Sequence, residues 1–120
     1  MNLHAYMRFL EDVVIGTLAR YGIAGERNVG ATGVWVSKPA LAKICAMGVK
    51  LRRWVTLHGL ALNVTTDLSF FDLINPCGLG LPVTSMAKLV GNGVPPLPAV
   101  KRAMSEEFAQ RIAQGVQQRA

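Results

Sequence analysis

The chain has 120 residues, and 13 Lys and Arg against 7 Asp and Glu leave a formal net charge of +6 with both histidines neutral. Apolar residues make up 51% and charged ones only 17%, below the roughly 25% of an ordinary soluble domain, so disordered, collagen-like and mucin-like classes are excluded. One small domain with a core to bury is expected. The longest stretches without Asp, Glu, Lys or Arg, residues 54–66 and 73–87, fall short of the ~18 apolar residues that a membrane span needs, and the second holds Pro76, Gly78, Gly80 and Pro82. Glu11 and Asp12 break the apolar run after Leu10, which does not suit an export signal, so a cytoplasmic location is expected. Cys45 and Cys77 form no Cys-x-x-Cys pair, and His4 and His58 lie at no zinc-binding spacing, so neither a structural disulfide nor a metal site is expected.

Leu3, Tyr6, Met7, Leu10, Val13, Val14, Leu18 and Tyr21 recur at three- and four-residue steps, which predicts an amphipathic helix with Glu11, Asp12 and Arg20 on other faces and Gly22 at its end. After a loop, Gly33-Val34-Trp35-Val36 reads as a short strand and Pro39 as a turn. Residues 43–49 and 54–64 mix alternation with continuous apolar runs, as strands packed on both faces do. Asp67 can cap a short helix reaching Phe71 or Leu73, and Pro76 ends it by disfavouring helical geometry at Asn75, which leaves Cys77 on a loop. Residues 83–90 suit a strand end running into a helical turn. Residues 91–98 read as punctuation without regular structure, and a last helix over residues 99–117 would turn Val100, Met104, Phe108 and Ile112 inward.

Three places carry chemistry. Cys77, on a loop flanked by Pro and Gly, is easier for a substrate to reach than Cys45, whose neighbours Ile44, Ala46 and Met47 suit a buried strand; local context alone favours an inert thiol even at Cys77. Lys43 enters an apolar strand, where a lysine either snorkels outward or is held near a group whose protonation it alters. A thiol of pKa ~8.5 is a few per cent thiolate at pH 7, and lowering it to ~6 beside an ammonium raises that fraction roughly thirtyfold. His58-Gly59 marks a point where a ligand would meet bare backbone, although a turn histidine is the commoner outcome. The basic cluster Lys50, Arg52 and Arg53 beside Trp54 suits a solvated strand edge better than a nucleic-acid footprint, so no nucleic-acid partner is expected.

Taken in order, Gly33-Val34-Trp35-Val36, Lys43-Ile44-Cys45-Ala46-Met47-Gly48-Val49, Thr56-Leu57-His58-Gly59-Leu60-Ala61-Leu62-Asn63-Val64, Asp67-Leu68, Phe71, Asn75-Pro76-Cys77-Gly78 and Val83-Thr84-Ser85-Met86 resemble the lipoyl(octanoyl) transferases. The likeness covers about residues 1–91, and the ordered pieces leading to Pro-Cys-Gly together outweigh the local odds at Cys77. The resemblance implies an α/β (α+β) fold with a mixed sheet and flanking helices, similar to the catalytic domain of biotin and lipoate protein ligases. It implies that an octanoyl group passes from octanoyl-acyl carrier protein to a lysine of lipoyl domains, those of 2-oxoacid dehydrogenase complexes and of the glycine cleavage H protein. By the same resemblance Cys77 is the nucleophile and Lys43 the lysine that lowers its pKa. Ala46, Met47, Gly48, Gly59, Leu60 and Ala61 match the acyl-binding segments, and no cofactor and no metal is implied.

Two departures stand out. Cys45 occupies a position where the family usually has a small residue such as alanine. The family's Arg-Gly-Gly segment and its following Thr-x-His-Gly-Pro-Gly have no counterpart here, so residues 1–94 are expected to be the C-terminal part of the catalytic domain and residues 95–120 a Pro-rich turn and helical tail. An apolar edge or patch is expected to be exposed as a result. The competing expectation is a non-catalytic fragment that binds acyl chains or a partner chain.

Overall fold

A computed structural model describes residues 3–28, 31–47, 50–52, 55–57, 60–65 and 82–119. Helix α1 spans Leu3–Ala19 and buries Met7, Leu10, Val13, Val14 and Leu18, the stripe expected from the three- and four-residue spacing. At ~1.5–3 kcal/mol per buried side chain this face contributes on the order of 10 kcal/mol before chain entropy is counted. The helix closes where Tyr21 and Ile23 both donate backbone N–H groups to the Leu18 carbonyl and Gly22 takes φ 75°, a left-handed turn suited to glycine.

Four strands, β1 (Glu26–Asn28), β2 (Ala31–Val36), β3 (Ala42–Met47) and β6 (Leu60–Leu62), form one sheet in the order β1-β2-β3-β6. Strands β4 (Lys50–Arg52) and β5 (Val55–Leu57) pair with each other as a separate antiparallel ribbon. Among the described residues, the ladders of the larger sheet are antiparallel and its parallel component is the bridge between Lys43 and Val83. The α+β architecture is therefore the expected one.

An irregularity in β3 decides which side chains share a face. Trp35 faces Lys43 and Val34 faces Cys45, so Ile44 is an extra residue on β3, a bulge. Ile44 and Cys45 are both fully buried in the core cluster with Val34, Val36, Ala42 and Met47, against α1. Lys43 and Ala46 are thereby turned to the opposite face, together with Gly33 and Trp35 of β2.

Beyond β6 the chain returns at residues 82–84, running beside β3. Helix α2 (Met86–Val90) follows, capped by the Ser85 hydroxyl, which accepts from Lys88 N, and then a short 3-10 turn at Gly91–Gly93. Helix α3 (Leu97–Arg119) packs along α1. It starts two residues earlier than expected because Pro98 sits in the first turn, where its missing N–H has no helical partner to lose.

Three expectations need correction. Glu11 lies inside, not on an outer face: it is fully buried and accepts from Arg8 Nη1 at 2.6 Å, Arg27 Nε at 3.2 Å and the Gly33 backbone N–H at 2.9 Å. The inward stripe of α3 runs through Val100, Ala103 and Glu107, while Phe108 and Ile112 remain 41% and 45% exposed. Burial favours a neutral Glu107, but its hydrogen bond from Arg20 and the charge and hydrogen bond of Arg111 outweigh this and hold its carboxyl below the usual range. Finally, the region before Gly33, expected as a loop, holds β1, while the strands expected within residues 54–64 are β5 and β6. The short helix expected after Asp67 lies outside the described residues.

Candidate functional site

Lys43 is the best-defined of the candidate residues. Its backbone N–H donates to the Pro82 carbonyl at 2.8 Å, and its carbonyl accepts from Thr84 N at 2.8 Å, so the returning chain clamps both polar groups. Its stem crosses Gly33, where a Cβ would stand 3.3 Å from Lys43 Cε and 2.6 Å from the Cys45 carbonyl oxygen, and where φ is +117°. Only glycine suits that position. The Lys43 ammonium ends 5.0 Å from the ring centroid of fully buried Trp35, its cross-strand partner. Among the described residues no carboxylate pairs with it.

The two segments matched to acyl binding lie side by side. Ala46 pairs with Ala61, and Met47 with Leu60, across antiparallel β3 and β6. Ala46 and Ala61 are exposed and share the face of Lys43, whereas Met47 is buried and Leu60 packs against the core on the other face. Gly48, His58, Gly59 and Cys77 lie outside the described residues. A cavity of about 340 Å³ bordered by Val36, Leu41, Ala42, Val83 and Leu89, and another of about 280 Å³ between α1, β6 and α3, are lined by neither Ala46 nor Ala61.

Cys45 is chemically silent. Burial pushes its thiol from an ordinary 9.0 up to about 12, against smaller opposing effects from a backbone hydrogen bond at Ala61 and the charge of Lys43. The reading of Cys45 as a small core hydrophobe is thus the one that fits.

The sequence names Asn63 only within the segment of resemblance and gives it no role of its own. Its backbone N–H donates to Ile44 O, its side-chain amide to Thr84 O at 3.1 Å, and its carbonyl accepts from Met86 N, so one residue ties β3, β6 and the returning chain together. Its place directly after an apolar strand was the available signal.

Residues 1–109 match the family model described as the lipoyl protein ligase A/B catalytic domain. The chain belongs to that family. Among its curated relatives, a protein named octanoyltransferase from Christiangramia forsetii is 48% identical over 110 residues, covering 89% of this chain and 47% of the relative. One of the same name from Flavobacterium psychrophilum is 46% identical over 114 residues, 92% of this chain and 46% of the relative. A third, from Solibacter usitatus, is 59% identical over 88 residues, 73% of this chain and 39% of the relative. This lipoyl protein ligase A/B family chain therefore spans about half the length, or less, of the curated relatives it matches. Among its described residues, no helix is long and apolar enough to cross a membrane.

Proposed function

We propose that this chain carries the acyl-transfer chemistry of an octanoyltransferase in lipoate synthesis in the cytoplasm, moving an octanoyl group from acyl carrier protein to a lysine of a lipoyl domain. Cys77 thiolate attacks the thioester carbonyl, a Cys77 thioester forms as the bond to the carrier sulfur breaks, and the carrier leaves as a thiol with the proton given up by Lys43. The acceptor amine then attacks that thioester, an amide forms, and Cys77 is released as the thiolate. Lys43 favours the thiolate in the first half and relays the proton lost by the amine in the second. Ala46 and Ala61, with Gly48 and Gly59 beside them in sequence, leave room for the tail, whose six or so methylenes contribute roughly 5 kcal/mol on burial at ~0.8 kcal/mol each. A net charge of +6 assists encounter with an acidic carrier protein.

The observation that carries this reading is the clamp on Lys43. Its two backbone hydrogen bonds go to residues 82–84, and Cys77 precedes Pro82 by five residues in the sequence. Names of relatives support the reaction class. The half-length span favours a second reading, a non-catalytic fragment that binds acyl chains or a partner chain.

Transfer to an unmodified lipoyl domain separates the two. With octanoyl carrier protein as donor, the chain should yield one octanoyl-lysine per acceptor by mass, Cys77→Ser should yield none, and Lys43→Met should slow transfer about tenfold to thirtyfold. A folded chain that binds octanoyl carrier protein without transferring its acyl group would establish the second reading instead.

A further inference from the structure

Trp35 is an unusual choice for the place it fills. It is fully buried, yet its indole Nε1 has no hydrogen-bond partner among the described residues, an expense that phenylalanine would avoid in the same slot. Its ring face instead carries the Lys43 ammonium, 5.0 Å from the centroid. Indole gives the strongest such contact of any aromatic side chain. The Lys43 stem has nothing beside it at Gly33 to turn it elsewhere, and no described carboxylate competes for its charge.

We propose that Trp35 is the positioning residue of Lys43, its buried ring fixing the ammonium at one point above the sheet where a salt bridge would neutralise it. The ring supplies attraction without a counter-charge, so the full positive charge remains available to a thiolate. The functional consequence rests on the Lys43–Cys77 reading above; the contact itself does not.

Two measurements on the full 120-residue chain keep these apart. Lysines are converted to their ¹³C-dimethyl form, which keeps the charge, and the Lys43 methyl resonance is identified by its loss in Lys43→Arg. It should lie upfield of the other lysine methyls through the Trp35 ring current. A Lys43 resonance at the common lysine position overturns the proposal, and this holds even where Trp35→Leu does not fold. The rate of iodoacetamide alkylation at Cys77 is then followed against pH by peptide mass. Lys43→Met should move the profile to higher pH. Trp35→Leu should slow alkylation at pH 7 about threefold to tenfold, and Trp35→Phe should restore most of the loss. A profile shifted by Lys43→Met but untouched by Trp35→Leu overturns the role of Trp35 alone. A profile unmoved by Lys43→Met overturns the Lys43–Cys77 pair and leaves the resonance to decide the contact.

Discussion

Lys43 and Cys45 stand two residues apart on one strand and meet opposite environments, an ammonium turned toward an aromatic face and a thiol sealed in the core. The bulge at Ile44 separates them. Regular alternation would have put Lys43 and Cys45 on one face and Ala46 on the other, which is why the grouping of Lys43, Ala46 and Ala61 was not legible in the sequence, although each was named by motif. The core thiol gives a pH prediction. Because the folded state keeps Cys45 protonated up to about 12 while the unfolded chain ionises it near 9.0, its contribution is constant below pH 9 and is lost as pH rises from there. In urea unfolding, the stability of the parent chain relative to Cys45→Ala should fall by about 1.4 kcal/mol per pH unit between pH 9 and the upper limit of folding. A difference independent of pH over that range would show that Cys45 is not shielded.

At the scale of elements, α1 is held to the sheet by Glu11 as well as by its apolar stripe. Periodicity found the helix but misplaced this carboxylate, since the arginine that completes its ion pairs, Arg27, lies on β1, 16 residues along the chain. β1 was itself hidden because Glu26-Arg27-Asn28 lacks the β-branched and aromatic residues that mark strands; pairing with β2 makes it one. The α3 stripe was misjudged for a related reason. Arg20 and Arg111 make burial of Glu107 favourable, and Phe108 then sits at the margin, edge-on to Phe9 with ring centroids 5.2 Å apart. Glu11→Ala strands Arg8, Arg27 and the Gly33 N–H together, and thermal or urea unfolding should register a loss of about 3 kcal/mol. Glu11→Gln, which can still accept from Gly33, should lose clearly less. Equal losses would mean that the hydrogen bond to Gly33 contributes nothing.

For the molecule as a whole, the α+β class and the order of its main elements were readable because period and turn residues are local signals. The meeting of residues 82–84 with Lys43 was not, since it depends on pairing across about forty residues that no local pattern encodes. Among the described residues, the large apolar side chains left exposed are Leu41, between β2 and β3, and Leu97, Phe108 and Ile112 along α3. The most direct test of the proposed chemistry is the intact mass of the chain after incubation with octanoyl carrier protein and no acceptor. One octanoyl group should be gained, mapped by peptide mass to Cys77, absent from Cys77→Ser and unaffected by Cys45→Ala. A folded chain with no added mass, or with the group on any other residue, would contradict it.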